Sequence, residues 1–182
     1  AEHESTARSL ALRRDVESLL SYLRDHKVTG TQSTGNLPLK AVAEISAGFV
    51  VPPALELRIG QYVHRFRSED EVQPVYFAHL LARDADLLSG GPGRRWRLTE
   101  RGSSFLTAPA FNQVSALLGA WWYRGNWLIL VPYSIFGDEL SQDLRRVVHS
   151  LIEQLPPGQS VEFEPFVDRL IAEAGLTWQK PE

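Results

Sequence analysis

The sequence contains no cysteine among its 182 residues, and this absence excludes several kinds of site. Disulfide bonds, cysteine nucleophiles and cysteine-based zinc sites all require the missing side chain. Methionine is absent as well. The lack of cysteine predicts a protein of the reducing cytoplasm rather than a small disulfide-stabilised secreted domain.

Long hydrophobic runs are also missing. The longest apolar stretch, residues 127–132, is about a quarter of the length that a membrane-spanning helix needs. Residues 1–14 are polar and charged, without the apolar segment of a secretion signal. We therefore expect a soluble protein with no membrane partner.

Patterns that carry catalysis or bind metals are absent too. No two histidines have the spacing of a zinc-binding helix, and neither the phosphate-loop motif nor a G-x-S-x-G elbow occurs. The segment 90–93 is rich in glycine but predicts only a turn. The acidic groups at 69–71 and 84–86 predict helix caps and exposed faces. We expect no catalytic residue, no cofactor and no metal; an enzyme whose site a single sequence does not reveal is the weakest alternative.

The composition is that of an ordinary globular protein. Apolar residues make up 43% of the chain, which is enough to form a core. The net charge of −3 and the pI near 6.0 do not suggest a general nucleic-acid binder, but they leave a local basic face open.

Apolar periodicity predicts a mainly helical protein. The three- and four-residue spacing of apolar side chains indicates helices at residues 5–26, 38–48, 68–88, 110–124, 138–155 and 164–174. Ser5 is expected to cap the first helix, and Ser68 with Glu71 forms a capping-box pattern. Short strands are expected at 28–32 and 161–163. Residues 54–68 fit a strand at their start and a helix at their end, so both remain open.

The most informative segment is residues 87–102. The glycines at 90 and 91 indicate a tight turn, and Arg95 to Leu98 alternate as in a half-buried strand. This alternation predicts Arg95 and Arg97 on one face and Trp96 on the other. Thr99 is expected to cap the next helix. A helix, a hairpin and then a capped helix is the order in which a winged helix presents its wing.

The fold class expected from these elements is mainly α with short β-hairpins, built from tandem winged-helix-like modules. The first module is predicted at residues 1–67, and a winged-helix module with its wing near 94–99 at residues 68–136. Residues 137–182 are predicted as C-terminal helices that begin a further module, since they repeat the order seen near the N-terminus. The chain is therefore expected to be the N-terminal part of a longer protein.

One resemblance to a known family supports this interpretation. The segment Trp96-Arg-Leu-Thr-Glu-Arg-Gly102, followed by Phe105-Leu106, Ala108-Pro109 and Trp121-Trp122, resembles the winged-helix region of bacterial proteins related to the N-terminal domain of XPB-type DNA helicases. Residues 34–40 and the Leu155-Pro-Pro-Gly158 turn are similar to two further steps of that pattern. The resemblance implies DNA-associated or protein-interaction work without ATP hydrolysis.

Two segments are candidates for contact with nucleic acid. The predicted wing carries four guanidinium groups, which suit phosphate oxygens: Arg94, Arg95, Arg97 and Arg101. The alternative is a solvated hairpin with Trp96 in the core. Lys40 opens a possible recognition helix, but that helix has few of the side chains that read base edges.

A cluster of aromatic side chains is the candidate for a partner surface. Such side chains can stack on bases, anchor a partner protein or fill a core. Trp122, Tyr123 and Trp127 are the candidates for partner contact. The leading expectation is a non-enzymatic winged-helix protein that is DNA-associated or regulatory; the alternative is a protein–protein interaction module of a larger bacterial protein.

Overall fold

A computed structural model describes residues 2–125, 138–156 and 161–175 of the chain. The helices in these ranges are α1 (Glu2–Ser9), α2 (Ala11–Asp25), α3 (Leu39–Ala47), α4 (Gln73–Asp84), α5 (Glu100–Phe105), α6 (Ala110–Tyr123), α7 (Asp138–Glu153) and α8 (Phe163–Glu173). The strands are β1 (Glu56–Ile59), β2 (Tyr62–Arg65), β3 (Leu88–Gly91) and β4 (Arg94–Leu98). The protein is thus mainly α with two short antiparallel hairpins, which confirms the coarse fold class.

The chain divides into two compact units, residues 1–125 and 126–182. In the first unit, α2, α3, α4 and α6 surround one apolar core together with the β3–β4 hairpin. The core side chains recur at helical spacing, for example Leu19, Leu20 and Leu23 in α2. This core contains residues from both predicted modules, 1–67 and 68–136. The module boundaries themselves remain a prediction.

The single long helix expected at residues 5–26 is wrong, because the chain breaks at Leu10. Leu10 has an extended backbone, with φ −64° and ψ 120°, and separates α1 from α2. The break lets α1 fold against α6, where the Glu4 carboxylate accepts hydrogen bonds from the amides of Ala110 and Phe111 at 3.0 Å each. Glu4 therefore caps α6, and Ser5 lies inside α1 rather than at its start.

Residues 54–68, which the sequence left open, contain the β1–β2 hairpin. The pairing joins Glu56 to Arg65 and Ile59 to Tyr62. Gly60 has φ +60° at the turn, a conformation that glycine adopts without a steric penalty. The helix-like spacing of Tyr62, Val63 and Phe66 was misleading because these residues belong to the returning strand and the segment after it.

The acidic segment expected at an exposed helix start is partly buried. It forms a short 3-10 turn at Glu69–Glu71, and the Glu69 side chain is fully buried. The capping box predicted for Ser68 and Glu71 is not formed: the Glu71 carboxylate accepts from the Arg67 amide at 3.3 Å, one residue before the N-cap Ser68, rather than from the Ser68 amide. Ser68 makes no reciprocal side-chain cap; its hydroxyl instead donates to Glu71 at 3.2 Å.

The predicted strand at 95–98 is confirmed as β4, and the predicted cap is present beyond it. Thr99 accepts a hydrogen bond from the Gly102 amide at 2.9 Å and so begins α5. Residues 28–30 lie along β4, where the Gly30 amide donates to the Arg94 carbonyl and the Trp96 amide to the Val28 carbonyl, each at 2.9 Å. β4 is therefore paired on both sides.

The second unit is described at residues 138–156 and 161–175. It contains α7 and α8, which confirm the two helices predicted there. Arg169 of α8 donates a hydrogen bond to Gln154. The short strand expected at 161–163 is wrong, because Phe163 already begins α8. In the described residues, no helix has the length and apolar character to cross a membrane.

Candidate anion-binding groove

The orientation of β4 is set by Trp96. This side chain is only 4% exposed, and its indole N–H donates to the Gly35 carbonyl at 2.8 Å. The indole ring lies against the backbone of Gly90, where an added Cβ would be 2.4 Å from it. Because side chains alternate along a strand, an inward Trp96 turns Arg95 and Arg97 away from the core. The predicted division between Trp96 and its two arginine neighbours is therefore observed.

A buried polar pair lies behind Trp96. The His79 ring packs edge-on against the indole, with centroids 4.4 Å apart, and its Nδ1 lies 2.7 Å from a carboxylate oxygen of Glu69. The other oxygen of Glu69 accepts from the Leu37 amide at 2.5 Å. Glu69 thus joins α4 to the segment that precedes α3. This network fixes the back of the hairpin but does not line its outer groove.

Four arginines line a groove of about 570 Å³ between the end of α4 and the hairpin. The pairing of Ser89 with Arg97 brings both strands into the wall. The tight turn expected at Gly90 and Gly91 is wrong, because both glycines lie in β3 and the strands are joined at residues 92–93. Its full lining is Arg83, Leu88, Ser89, Gly90, Arg94, Arg95, Trp96 and Arg97. No carboxylate is among these lining residues.

The positive charges of this groove are weakly compensated within the described residues. Arg94 donates to the Gly90 carbonyl at 2.9 Å, which orients the guanidinium without neutralising it. The nearest carboxylate to Arg83 is Asp84, at a long 3.5 Å, and burial raises the pKa of that carboxyl. The Arg95 Nε is buried with no hydrogen-bond partner. An anion in the groove would supply the missing acceptors and reduce the repulsion among the guanidinium groups.

Three of the candidates predicted from sequence meet in this groove: Arg94, Arg95 and Arg97. The fourth lining arginine, Arg83, was missed. It lies in the last turn of α4, and its sequence position gave no sign that it would reach the hairpin. Its only sequence signal is a basic residue at a helix C-terminus, which the helix dipole also explains.

Two other predicted nucleic-acid residues do not line the groove. Lys40 is exposed in the first turn of α3. Arg101 is exposed on α5 near Asp86. The hydrogen bond from Arg124, with a smaller contribution from Arg101, lowers the pKa of the Asp86 carboxyl. Arg101 therefore lies outside the groove, in the neighbourhood of the Arg124–Asp86 ion pair.

The aromatic candidates have different environments. Trp121 packs against the core and Trp122 is half-buried beside it, with ring centroids 6.0 Å apart. Tyr123 is 79% exposed at the end of α6. Trp127 lies outside the described residues. The two adjacent tryptophans thus differ in environment, and Tyr123 is the more exposed of the two candidates that the structure describes, Trp122 and Tyr123.

The groove offers guanidinium donors and no carboxylate, which are the groups that suit a negatively charged ligand. Among the residues that the structure describes, no three His, Asp or Glu side chains cluster to hold a metal ion. No protein-family model, curated protein or solved structure matches this chain.

Proposed function

We propose that this chain is a non-enzymatic, winged-helix-like protein that binds the phosphate backbone of DNA through the arginine groove. The observation that carries this proposal is the convergence of four guanidinium groups on a groove lined by no carboxylate. Arginine is suited to this task because its planar fork matches phosphate oxygens and keeps its charge at any physiological pH.

The order of elements in the first unit supports a winged-helix interpretation. Helix α2 is followed by the segment at 28–30, α3, the β1–β2 hairpin, α4 and the β3–β4 hairpin, with residues 28–30 paired to β4. The β1–β2 hairpin is an insertion between the second and third helices of this order. In such an arrangement the hairpin is the wing. A wing that carries arginines on its outer face is suited to lie along a DNA backbone.

The spacing of the arginines favours a polymer over a small anion. Arg95 and Arg97 lie two residues apart on β4, so their backbones are about 7 Å apart. One strand of B-DNA carries a phosphate for about every 3.4 Å of helix axis. The two side chains can therefore contact different phosphates of one strand.

Binding through this groove is expected to show little sequence preference. Base reading usually requires a helix with polar side chains free to enter the major groove. On α4 the side chains from Ala78 to Ala82 are buried, as is Val75. The groove therefore offers contacts to the backbone, which position a protein on DNA without specifying the bases.

Fluorescence anisotropy with two labelled duplexes of unrelated sequence tests the proposal. We expect similar affinities for both duplexes, and for Arg95→Ala/Arg97→Ala a loss of about ten-fold or more, because each charge-assisted contact is worth about 1.5 kcal/mol or more. Arg83→Ala should weaken binding further.

The matched control is Arg58→Ala/Arg65→Ala, which removes the same charge from the β1–β2 hairpin and should leave duplex affinity unchanged. Absence of binding at low salt, or equal affinities for the wild type and the groove variant, would contradict the proposal.

A second candidate function, a protein-interaction module, is favoured by an apolar stripe on α6. Phe111 and Leu118 are each more than half exposed, and Trp122 follows at helical spacing. Exposed apolar stripes of this kind often contact a partner. If this stripe binds a partner protein, that partner should no longer co-purify with Phe111→Ser/Leu118→Ser. It should still co-purify with Arg95→Ala/Arg97→Ala. Retention by both variants would rule out the stripe.

A further inference from the structure

The β1–β2 hairpin presents a second surface that the groove does not use. Its pairing places Leu57, Ile59, Tyr62 and His64 on one face and Glu56, Arg58, Val63 and Arg65 on the other. The apolar residues of the first face are exposed, with Leu57 at 49%, Ile59 at 64% and Tyr62 at 65%. A sheet face of this composition is usually covered by another element. Here most of it faces solvent.

The opposite face and its margin are positively charged. Arg58 and Arg65 of this face, with Arg67 beyond β2, line a groove of about 620 Å³ that also includes Tyr62 and His64 from the first face and holds a single carboxylate, Glu56. Glu56 lies 2.6 Å from Arg58 and 3.9 Å from Arg65, so one negative charge is shared between two arginines. The groove retains a net positive charge in a chain whose total charge is −3.

The edges of this hairpin are open in the described residues. β1 and β2 form a two-stranded sheet, so each strand has one side without a neighbouring strand. The amide and carbonyl groups on such an edge can pair with an extended segment of another chain. The hairpin is held at its base by the His64–Glu71 contact of 2.8 Å and by Phe66, which packs against the core. The base of the hairpin is therefore fixed to the rest of the first unit, while the edges of its two strands stay open.

We propose that the β1–β2 hairpin binds an extended segment of a partner protein in which apolar and acidic residues alternate. A strand added to the sheet alternates its side chains in step with its neighbours. Its apolar residues would then lie on the sheet face that carries Leu57, Ile59 and Tyr62, and its acidic residues on the face that carries Arg58 and Arg65. The alternation of the hairpin itself thus specifies the chemistry of the partner.

A peptide-binding titration tests this proposal. The probe is a labelled peptide of about six residues, the usual strand length, that alternates valine and glutamate. The controls are a peptide of the same composition with its valines and glutamates in separate blocks, and a peptide that alternates valine and lysine. We expect the wild-type chain to bind the first probe about ten-fold more tightly than either control.

A charge-reversal variant distinguishes peptide binding by this hairpin from DNA binding by the arginine groove. Arg58→Glu/Arg65→Glu should lose the valine–glutamate peptide and gain the valine–lysine peptide, and that gain also shows that the variant is folded. Ile59→Ala/Tyr62→Ala should weaken binding of the valine–glutamate probe by about ten-fold through the apolar face. Duplex affinity should stay at the wild-type level in both variants.

Three outcomes would overturn the inference. The first is equal binding of all three peptides to the wild type, and the second is no saturable binding of the valine–glutamate probe below about 1 mM. The third is a loss of duplex binding in Arg58→Glu/Arg65→Glu, which would assign the hairpin to the nucleic-acid surface. The two peptide results do not depend on whether the arginine groove binds DNA.

Discussion

The two hairpins of this chain have similar lengths and both carry arginines, but their surroundings differ. β3–β4 is built into the core through Trp96, and residues 28–30 extend it on one side. β1–β2 is anchored only at its base and exposes its apolar face. The arginines of the first line a groove without a carboxylate, whereas those of the second share Glu56. The comparison indicates that packing, rather than hairpin sequence alone, decides which side chains of a hairpin remain exposed.

Each hairpin also has its own glutamate–histidine pair. The pair behind β3–β4 is buried, with the Glu69 side chain 0% exposed and His79 at 5%. The pair at the base of β1–β2, His64 with Glu71, is about one third exposed. Breaking the first pair should be strongly destabilising, because it would leave a buried polar group without a partner. Breaking the second pair should cost little, because water can solvate the group that is left. Four predictions follow, from the largest expected effect to the smallest; the first three test this contrast, and the fourth tests a cap outside both hairpins.

The largest effect is expected from removing the side chain that fixes β4. Trp96→Ala should lower the free energy of unfolding by about 3 to 5 kcal/mol, because it leaves a cavity in the core. Tyr62→Ala on the other hairpin should change it by less than about 0.5 kcal/mol, because that side chain is already in water. Urea unfolding measures both. Similar losses for the two variants would show that the hairpins are equally integrated.

The buried and exposed acid–histidine pairs give the next contrast. Glu69→Ala should cost about 3 kcal/mol, since it leaves the Leu37 amide and His79 without their acceptor. Glu71→Ala should cost no more than about 1 kcal/mol. Chemical denaturation of the two variants at neutral pH checks this difference. A small effect of Glu69→Ala would mean that water replaces the carboxylate.

One glycine of each hairpin, Gly90 in β3 and Gly60 in the β1–β2 turn, should respond differently to an added methyl group. Gly90→Ala should destabilise by about 1 to 3 kcal/mol, because the new Cβ would meet the Trp96 ring at 2.4 Å. Gly60→Ala meets nothing within 4 Å and should cost only the strain of its φ of +60°, about 1 kcal/mol. Thermal unfolding ranks the two variants, and the reverse order would contradict the packing around Gly90.

The smallest effect concerns pH and the cap of α6. The amides of Phe111 and Ala110, by hydrogen bonding, hold the pKa of Glu4 below its ordinary value. A carboxyl group with a lowered folded pKa contributes stability above its unfolded pKa of about 4.5 and loses it as the pH falls through the folded value. The melting temperature of Glu4→Gln should therefore lie below that of the wild type near neutral pH, and the gap should close in acid. A gap that does not change with pH would exclude the ionised cap.

The sequence predicted most helices and the strand that carries the arginines. Periodicity located α6, α7 and α8, and alternation placed Trp96 opposite Arg95 and Arg97, because both signals depend on local geometry. The break at Leu10 was not predictable, because the apolar pattern continues across it and the contact that favours it, Glu4 with α6, joins residues more than a hundred positions apart. Residues 54–68 gave conflicting periodicities because an exposed hairpin has no buried face to impose one.

The candidate site was predicted only in part, because local patterns reveal neighbours in sequence but not long-range contacts. Arg94, Arg95 and Arg97 are neighbours in sequence, so a local pattern found them. Arg83 joins them only through the packing of α4 against the hairpin. Glu69 was expected on an exposed face because acidic residues at helix starts are usually solvated. Its burial depends on partners at Leu37 and His79, which sequence spacing does not reveal.

The salt dependence of duplex affinity tests the role of the arginine groove most directly. The logarithm of the affinity should fall linearly with the logarithm of the salt concentration, by about 0.9 for each phosphate contact. Arg83→Ala/Arg95→Ala/Arg97→Ala should therefore give a slope shallower by roughly 2 to 3 than the wild type, with Arg58→Ala/Arg65→Ala parallel to the wild type. Parallel lines for the wild type and the groove variant would contradict phosphate binding by these arginines.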